Sequence, residues 1–401
     1  MTHKNNYSIH KIKGYTIILV PNKNETLHIS ACIESGTINE TKGNAGIHHL
    51  VEHILTEAWE PCGKQTCNSY WDKKGVIMNA NTTMSYVNFY VNGLKEDTDL
   101  MLDYMINIIV KPSIKESTLK IEKHAVLNEL LILTNDPENK GEDAFNKEFF
   151  SIEGLKYTAD FKTQMNNLNK LSLKKIKHFY NEINQNIVFI ISGGFDSKHI
   201  LSTFAKSMHE YNPLTTHLNV FTFSNSFIYV KDDIKSTILM MGIPISINPS
   251  NYHKMEACLK CIHSILFQVL RIEMKMIYGI EISLHVLPAP YIIIRSTVEN
   301  KHVVSVYHTI IEIIEKYKTV YPEDYMKGIK QKEKLAFYNI PYTSTFLSKY
   351  YLKEYLQNKK IIPLFQKMRD IQKINSVQFL KLMNIDLSKC LVVYQGKVKV
   401  F

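Results

Sequence analysis

The sequence predicts an α+β protein made of two domains of similar size. Two observations carry that expectation. Strand-sized apolar runs alternate with segments of helical spacing through the first half of the chain. A helix–strand–glycine unit near the middle then recurs near the end, shifted by about 200 residues. Together they place a first domain at residues 1–206, a polar connection containing Pro213 at 207–219, and a second domain at 220–401.

Each element has a local reason. Tyr15 to Val20 reads as a buried strand closed by Pro21 and Asn22, and His28 to Ser35 as a second strand stopped by Gly36. Thr41 to Gly46 is a polar, glycine-containing loop that feeds a helix. After Gly75, the runs Val76–Asn81 and Tyr86–Val91 read as a hairpin. Asp97 to Ile109 carries apolar residues at helical spacing, and Ser113 to Leu133 is a long helical pattern with Ser113 as its N-cap. A helix from Ser172 to Tyr180, a strand from Ile187 to Ile191 and a helix from Ser197 to Lys206 complete the first half. The recurrence pairs Lys170-Leu171-Ser172 with Lys373-Ile374-Asn375, Ile176 with Phe379, Phe179 with Leu382, Val188-Phe189-Ile190 with Leu391-Val392-Val393, and Gly193 with Gly396, all at one offset. Ser172 and Asn375 are both good N-caps.

Composition narrows the function. Apolar residues are 45% and charged residues 21%, the balance of a soluble globular chain. The formal net charge is +10, but the lysines are scattered and form no basic helix or arm. The charge therefore reads as a solvated surface that can help draw in acidic peptides, with no nucleic-acid partner. The six cysteines are too sparse for a disulfide scaffold. Cys62 and Cys67 could pair, or bind a metal with Cys258 and Cys261. No further Cys or His cluster completes a ribbon-type site, so the expectation is reduced, structural thiols. The N-terminal segment has no apolar core of signal-peptide length, and no apolar run is long enough to cross a bilayer. A cytoplasmic chain without a membrane partner is expected.

The chemistry concentrates in Gly46-Ile47-His48-His49-Leu50-Val51-Glu52-His53. His49, Glu52 and His53 form His-x-x-Glu-His, the mirror order of the commoner His-Glu-x-x-His zinc motif. On a helix, His49 and His53 lie one turn apart on one face and can share a metal ion, while Glu52 can reach a water held there. A zinc site needs a third protein ligand, and a carboxylate suits it. Glu122 and Glu129 stand two turns apart on one face of the long helix. One can bind metal while the other holds a ligating histidine by hydrogen bond.

These residues resemble the pitrilysin, insulysin and mitochondrial processing peptidase family of zinc peptidases, at half the length of its largest members. Glu34-Ser35-Gly36-Thr37 is similar to the family's strand–glycine turn, and Gly46 to His53 to its Gly-Leu-x-His-x-x-Glu-His. Where the family has Phe-x-Gly-Thr after the second histidine, this chain has Ile54-Leu55-Thr56-Glu57-Ala58-Trp59. The resemblance implies two homologous domains, each a mainly antiparallel sheet packed with helices, enclosing a chamber. It implies one Zn²⁺ per chain, held by His49, His53 and Glu129, with Glu122 behind a ligating histidine and Glu52 as general base. Met78-Asn79-Ala80-Asn81-Thr82 is similar to an edge strand that pairs with substrate, which implicates Asn79 and Ala80. Leu270-Arg271-Ile272-Glu273 to Tyr278 is similar to a segment whose Arg and Tyr, here Arg271 and Tyr278, meet the substrate carbonyl. The implied activity is zinc-dependent endopeptidase action on short or unfolded peptides. The implied assembly is a homodimer or a heterodimer with a related chain. A non-catalytic scaffold subunit and a specialised leader-peptide maturation protease are the alternatives.

Overall fold

The computed structural model describes residues 7–136, 138–183, 186–210 and 225–401. Of the connection expected at 207–219, residues 211–219 lie outside the described residues. The chain forms two compact units, and each takes a short segment from the other half of the sequence. The first unit is Met1–Thr134, Glu153–Asn219 and Pro341–Leu356; the second is Asn135–Ile152, Val220–Ile340 and Gln357–Phe401. The contiguous halves read from the sequence are therefore crossed twice.

The first unit holds a six-stranded sheet. Its strands are β1 (Ser8–Ile12), β2 (Tyr15–Pro21), β3 (Thr26–Ile33), β4 (Ile77–Thr82), β5 (Val87–Leu94) and β6 (Ile187–Gly193), in the order β1-β2-β6-β3-β5-β4. Only β2 and β6 run parallel; the other neighbours are antiparallel. The β2 run is apolar without alternation because both of its faces are buried. Four early helices follow: α1 (Ile47–Thr56), α2 (Cys67–Asp72), α3 (Thr98–Val110) and α4 (Glu116–Thr134). Ile17, Leu19 and Ile29 of the sheet join Leu50 and Ile54 of α1 and Met105 of α3 in one core, all 0% exposed. The helix Ser344–Asn358 belongs to this unit almost entirely and is tied to β3, with Ser344 Oγ donating to the Thr26 carbonyl at 2.9 Å.

The long helix starts at Glu116, not at Ser113. Ser113 stays in the preceding loop, where its Oγ donates to Glu60 at 3.0 Å instead of capping a helix. The Pro-restricted loop Pro112 to Ile114 explains the displacement, with the Ile114 amide bonded back to the Pro112 carbonyl.

The second unit holds a five-stranded sheet. Its strands are β7 (Phe227–Lys231), β8 (Thr237–Pro244), β9 (Ile277–His285), β10 (Tyr291–Val298) and β11 (Leu391–Gly396), in the order β7-β11-β8-β10-β9. β11 runs parallel to β7 and antiparallel to β8. β6 stands in the same relation to β2 and β3. The recurrence read from the sequence thus falls on equivalent elements. Ile176 on the helix Leu173–Ile183 and Phe379 on the helix Ser376–Met383 are both 0% exposed, and Asn375 caps the latter by accepting from the Gln378 amide. The helix Glu138–Phe149 lies on this sheet although it precedes the connection. A Cβ on Gly242 would meet the Phe145 ring at 2.6 Å, so glycine permits that close approach.

One buried histidine makes the first unit sensitive to acid. His28 on β3 is 1% exposed, and its ring stacks on Tyr90 at 5.3 Å. Burial lowers its pKa from 6.5 to about 4, only partly offset by a hydrogen bond to Asn92. Between those values the unfolded chain binds more protons than the folded one, so stability falls as pH falls. The denaturant midpoint of the wild type should therefore drop between pH 6.5 and 4 more steeply than that of His28→Gln. Identical slopes for the two proteins would contradict this assignment.

Candidate metal centre

Helix α1 is fixed at its start by a carboxylate that the sequence reading did not single out. Glu40 is 4% exposed and accepts from the amides of Gly46 and His48 at 2.9 Å each. Those amides have no partner inside the helix, and a negative charge there also complements the helix dipole. Gly46, at φ +93°, supplies the left-handed turn of entry. Glu40 holds the His48 Nδ1 at 2.9 Å as well, and Ser35 Oγ meets the His48 Nε2 at 3.0 Å. Both nitrogens of His48 are engaged in this buried network, which leaves His49 and His53 as the histidines that face outward. A buried glutamate six residues before a helical glycine is a faint sequence signal, because only the fold brings it to the amides.

The apolar face of α1, Ile47, Leu50, Val51, Ile54 and Leu55, is at most 2% exposed. That burial turns His49, Glu52 and His53 toward α4 and β4. The α4 residues Leu119, Val126 and Leu130 anchor it in the same core, which aims Glu122 and Glu129 at the histidines. Glu129 Oε2 lies 3.4 Å from His49 Nε2 and 3.6 Å from His53 Nε2. The His49 and His53 rings stand 4.9 Å apart, nearly perpendicular. Glu122 Oε2 lies 3.2 Å from His53 Nδ1, the nitrogen turned away from Glu129.

This donor set fits a divalent ion such as zinc. Ligands about 2.0–2.1 Å from a tetrahedral zinc stand roughly 3.4 Å from one another. The two imidazole-to-carboxylate separations match that edge, and the three donor atoms lie within 4.8 Å of one another. Glu122 fixes the ring orientation of His53, as carboxylates do behind ligating imidazoles. Among the described residues, no other group of three or more His, Cys, Asp or Glu donors converges in this way.

Burial shapes the charges. It lowers the His49 pKa to about 4, helped by the neighbouring His53, so His49 is neutral and able to donate its lone pair. For His53 burial opposes protonation, but the Glu122 hydrogen bond and the charges of Glu129 and Glu52 outweigh it and push the pKa up. Glu52 is 9% exposed, and burial raises its pKa, offset in part by the Thr82 hydroxyl, which donates to its carboxylate.

Thr82 ends β4, the edge strand of the first sheet. Asn79 on that strand is exposed and Ala80 half-buried, and the Asn79 side chain accepts from the Ala80 amide at 2.7 Å. Arg271 and Tyr278 lie in the second unit. Arg271 is exposed at the end of a π-helical turn and donates from Nη1 to the Ile277 carbonyl at 2.8 Å. Tyr278 is 56% exposed on β9, the edge strand of its sheet.

The expectation of six reduced thiols is corrected at two positions. Cys62 and Cys67 form a disulfide, while Cys32, Cys258, Cys261 and Cys390 are buried thiols. Cys62 and Cys67 are therefore not available as metal ligands with Cys258 and Cys261. The bridge closes the turn between α1 and α2, where Glu57 accepts from the Cys67 amide at 2.6 Å. Ile54 to Trp59, where the family resemblance leads one to expect Phe-x-Gly-Thr, ends α1 and leads into that turn.

A His-x-x-Glu-His helix facing a glutamate-bearing helix, beside an edge strand, marks a metallopeptidase-like protein. Residues 16–159 match the family described as insulinase (peptidase family M16). It is 26% identical over 145 residues to an uncharacterized zinc protease of Streptomyces coelicolor, covering 36% of this chain and 31% of that protein. It is 22% identical over 160 residues to the mitochondrial-processing peptidase subunit beta of Dictyostelium discoideum, covering 39% and 34%. The matches thus span about a third of these relatives. The crystal structure of a peptidase M16 inactive domain from Pseudomonas fluorescens shares the fold, with a TM-score of 0.85 over 98% of both chains at 13% identity.

The disulfide carries a prediction. Its partners are five positions apart, and a loop that short accounts for roughly 2 kcal/mol of stability by chain entropy. Cys62→Ser with Cys67→Ser should lower the unfolding free energy by about that amount in denaturant titrations. An unchanged midpoint would show that the bridge does not hold the turn.

Proposed function

We propose that this chain is a zinc-dependent metalloendopeptidase acting on short or unfolded peptides. The observation that carries the reading is the tetrahedral-edge spacing of Glu129 from His49 and His53, with Glu122 behind His53. His49, His53 and Glu129 would hold the zinc. Bound there, zinc supplies Lewis acidity toward a peptide carbonyl and toward water. Glu52 takes a proton from the attacking water at its carboxylate and delivers it to the amide nitrogen that leaves. The Thr82 hydroxyl fixes the orientation of that carboxylate. Asn79 and Ala80 hold a peptide extended along β4, whose outer edge is free to pair among the described strands. Arg271 and Tyr278 steady the negative charge that develops on the carbonyl oxygen.

The family relation to a chain described as a processing-peptidase subunit supports pairing with a second copy or a related chain. No helix among the described residues is long and apolar enough to cross a membrane. The Cys62–Cys67 bridge favours an oxidising compartment over the cytoplasm expected from the sequence. A non-catalytic scaffold is the second reading, favoured by the likeness to a domain described as inactive.

Cleavage of a mixed pool of short peptides separates the two readings. The wild type should cut, a chelator should stop it, and Glu52→Gln should lower kcat by 10²–10⁴-fold, on the order expected for a lost general base. Cleavage that survives both would end the proposal, and no cleavage by metal-loaded wild type would favour the scaffold. Arg271→Ala and Tyr278→Phe should each reduce kcat roughly 100-fold or more with a smaller change in KM. A change in KM alone would remove them from the reaction and leave them as binding residues.

A further inference from the structure

The second unit contains a groove of about 910 Å³ that the proposed peptidase chemistry does not use. It lies between the stretch that continues β8 into the helix Tyr252–Leu266 and the end of the helix Ser376–Met383. Its volume is in the upper part of the range of about 300–1,000 Å³ seen for ligand sites.

Three features of the lining define what would fill it. The floor is aliphatic: Ile245, Ile247, Met255, Leu382 and Ile385. Ile245 and Ile247 alternate with exposed Ser246 at the two-residue period of extended chain. The rim is cationic. Lys254, Lys381 and Lys389 line it with one carboxylate, Asp386, which sits 3.9 Å from Lys389 and leaves an excess of two positive charges. Lys381 has no ion pair among the described residues. The walls also carry carboxamides, from Asn248, Asn251, Gln378 and Asn384. Among the described residues the Gln378 and Asn384 side chains have no hydrogen-bond partner in the chain.

We propose that this groove binds an extended peptide segment in which acidic and aliphatic side chains alternate. The aliphatic floor takes one set of side chains and the lysine rim takes the other. The carboxamides decide between a peptide and an acyl chain. Asn248 and Asn251 already accept from Ser250 and Lys254, but Gln378 and Asn384 each offer a donor and an acceptor that match a peptide backbone, whereas a hydrocarbon chain would cover them without satisfying them. A nucleic acid would leave the aliphatic floor unused.

The site stands independently of the hydrolase reading, because it is read by binding without turnover. The test uses the full chain carrying Glu52→Gln and a fluorescein-labelled acetyl-Glu-Leu-Glu-Leu-Glu-Leu-amide. Saturable binding is expected, with slowed hydrogen exchange in residues 244–255 and 378–389. Lys254→Glu with Lys381→Glu should weaken binding at least tenfold, and so should a Lys-Leu version of the peptide. Gln378→Ala with Asn384→Ala should weaken it without altering its salt dependence. The proposal is overturned if the peptide does not bind, if exchange slows only outside those segments, or if the charge-reversed variant binds equally well. It is also overturned if dodecanoate protects both segments and the peptide does not.

Discussion

Everything at the candidate metal centre depends on the burial of one face of α1. Five apolar side chains, Ile47 to Leu55, lock the helix against the sheet, so its rotation is set by the core and not by any ligand. The Glu40 carboxylate fixes the same helix at its first turn. With rotation and start both fixed, His49 and His53 have one direction in which to point. Helix α4 meets them there because Leu119, Val126 and Leu130 bind its opposite face into the same core. The chemistry is therefore positioned by packing on rigid elements, which is why three donors from segments about 80 residues apart stand within 4.8 Å of one another.

The same packing explains the charges. Burial keeps His49 neutral, while three carboxylates around His53 draw it toward its charged form. A divalent ion would relieve that imbalance by pairing with the excess negative charge of Glu129, Glu122 and Glu52. The hydrogen bonds between Glu122 and His53 and from Thr82 to Glu52 hold those side chains in orientation.

Much of this was legible in the sequence, for physical reasons. Two histidines a turn apart with a glutamate between them can be read without a fold, because helical geometry alone brings them together. The hairpin of β4 and β5 and the duplicated helix–strand unit were legible because strand and helix periods differ and because Gly193 and Gly396 end equivalent strands. The choice between Glu122 and Glu129 was open from spacing, since both share a face; the nitrogen of His53 that each approaches separates them. The crossing of the helices Glu138–Phe149 and Ser344–Asn358 into the opposite units was not legible, because it depends on which sheet each apolar face finds. The Cys62–Cys67 bridge was legible only as one option, since pairing follows from the turn that α2 makes and not from cysteine count. Glu40 was missed because its importance lies in two amides brought to it by a glycine turn.

His49, His53 and Glu129 are proposed to surround one divalent ion. X-ray absorption at the zinc edge on the purified, metal-loaded chain tests it most directly. One zinc per chain is expected, coordinated by two imidazole nitrogens and carboxylate oxygen at about 2.0–2.1 Å, with loss of that spectrum in Glu129→Ala. A sulfur-containing shell, an absence of stoichiometric metal, or an unchanged spectrum in Glu129→Ala would contradict it.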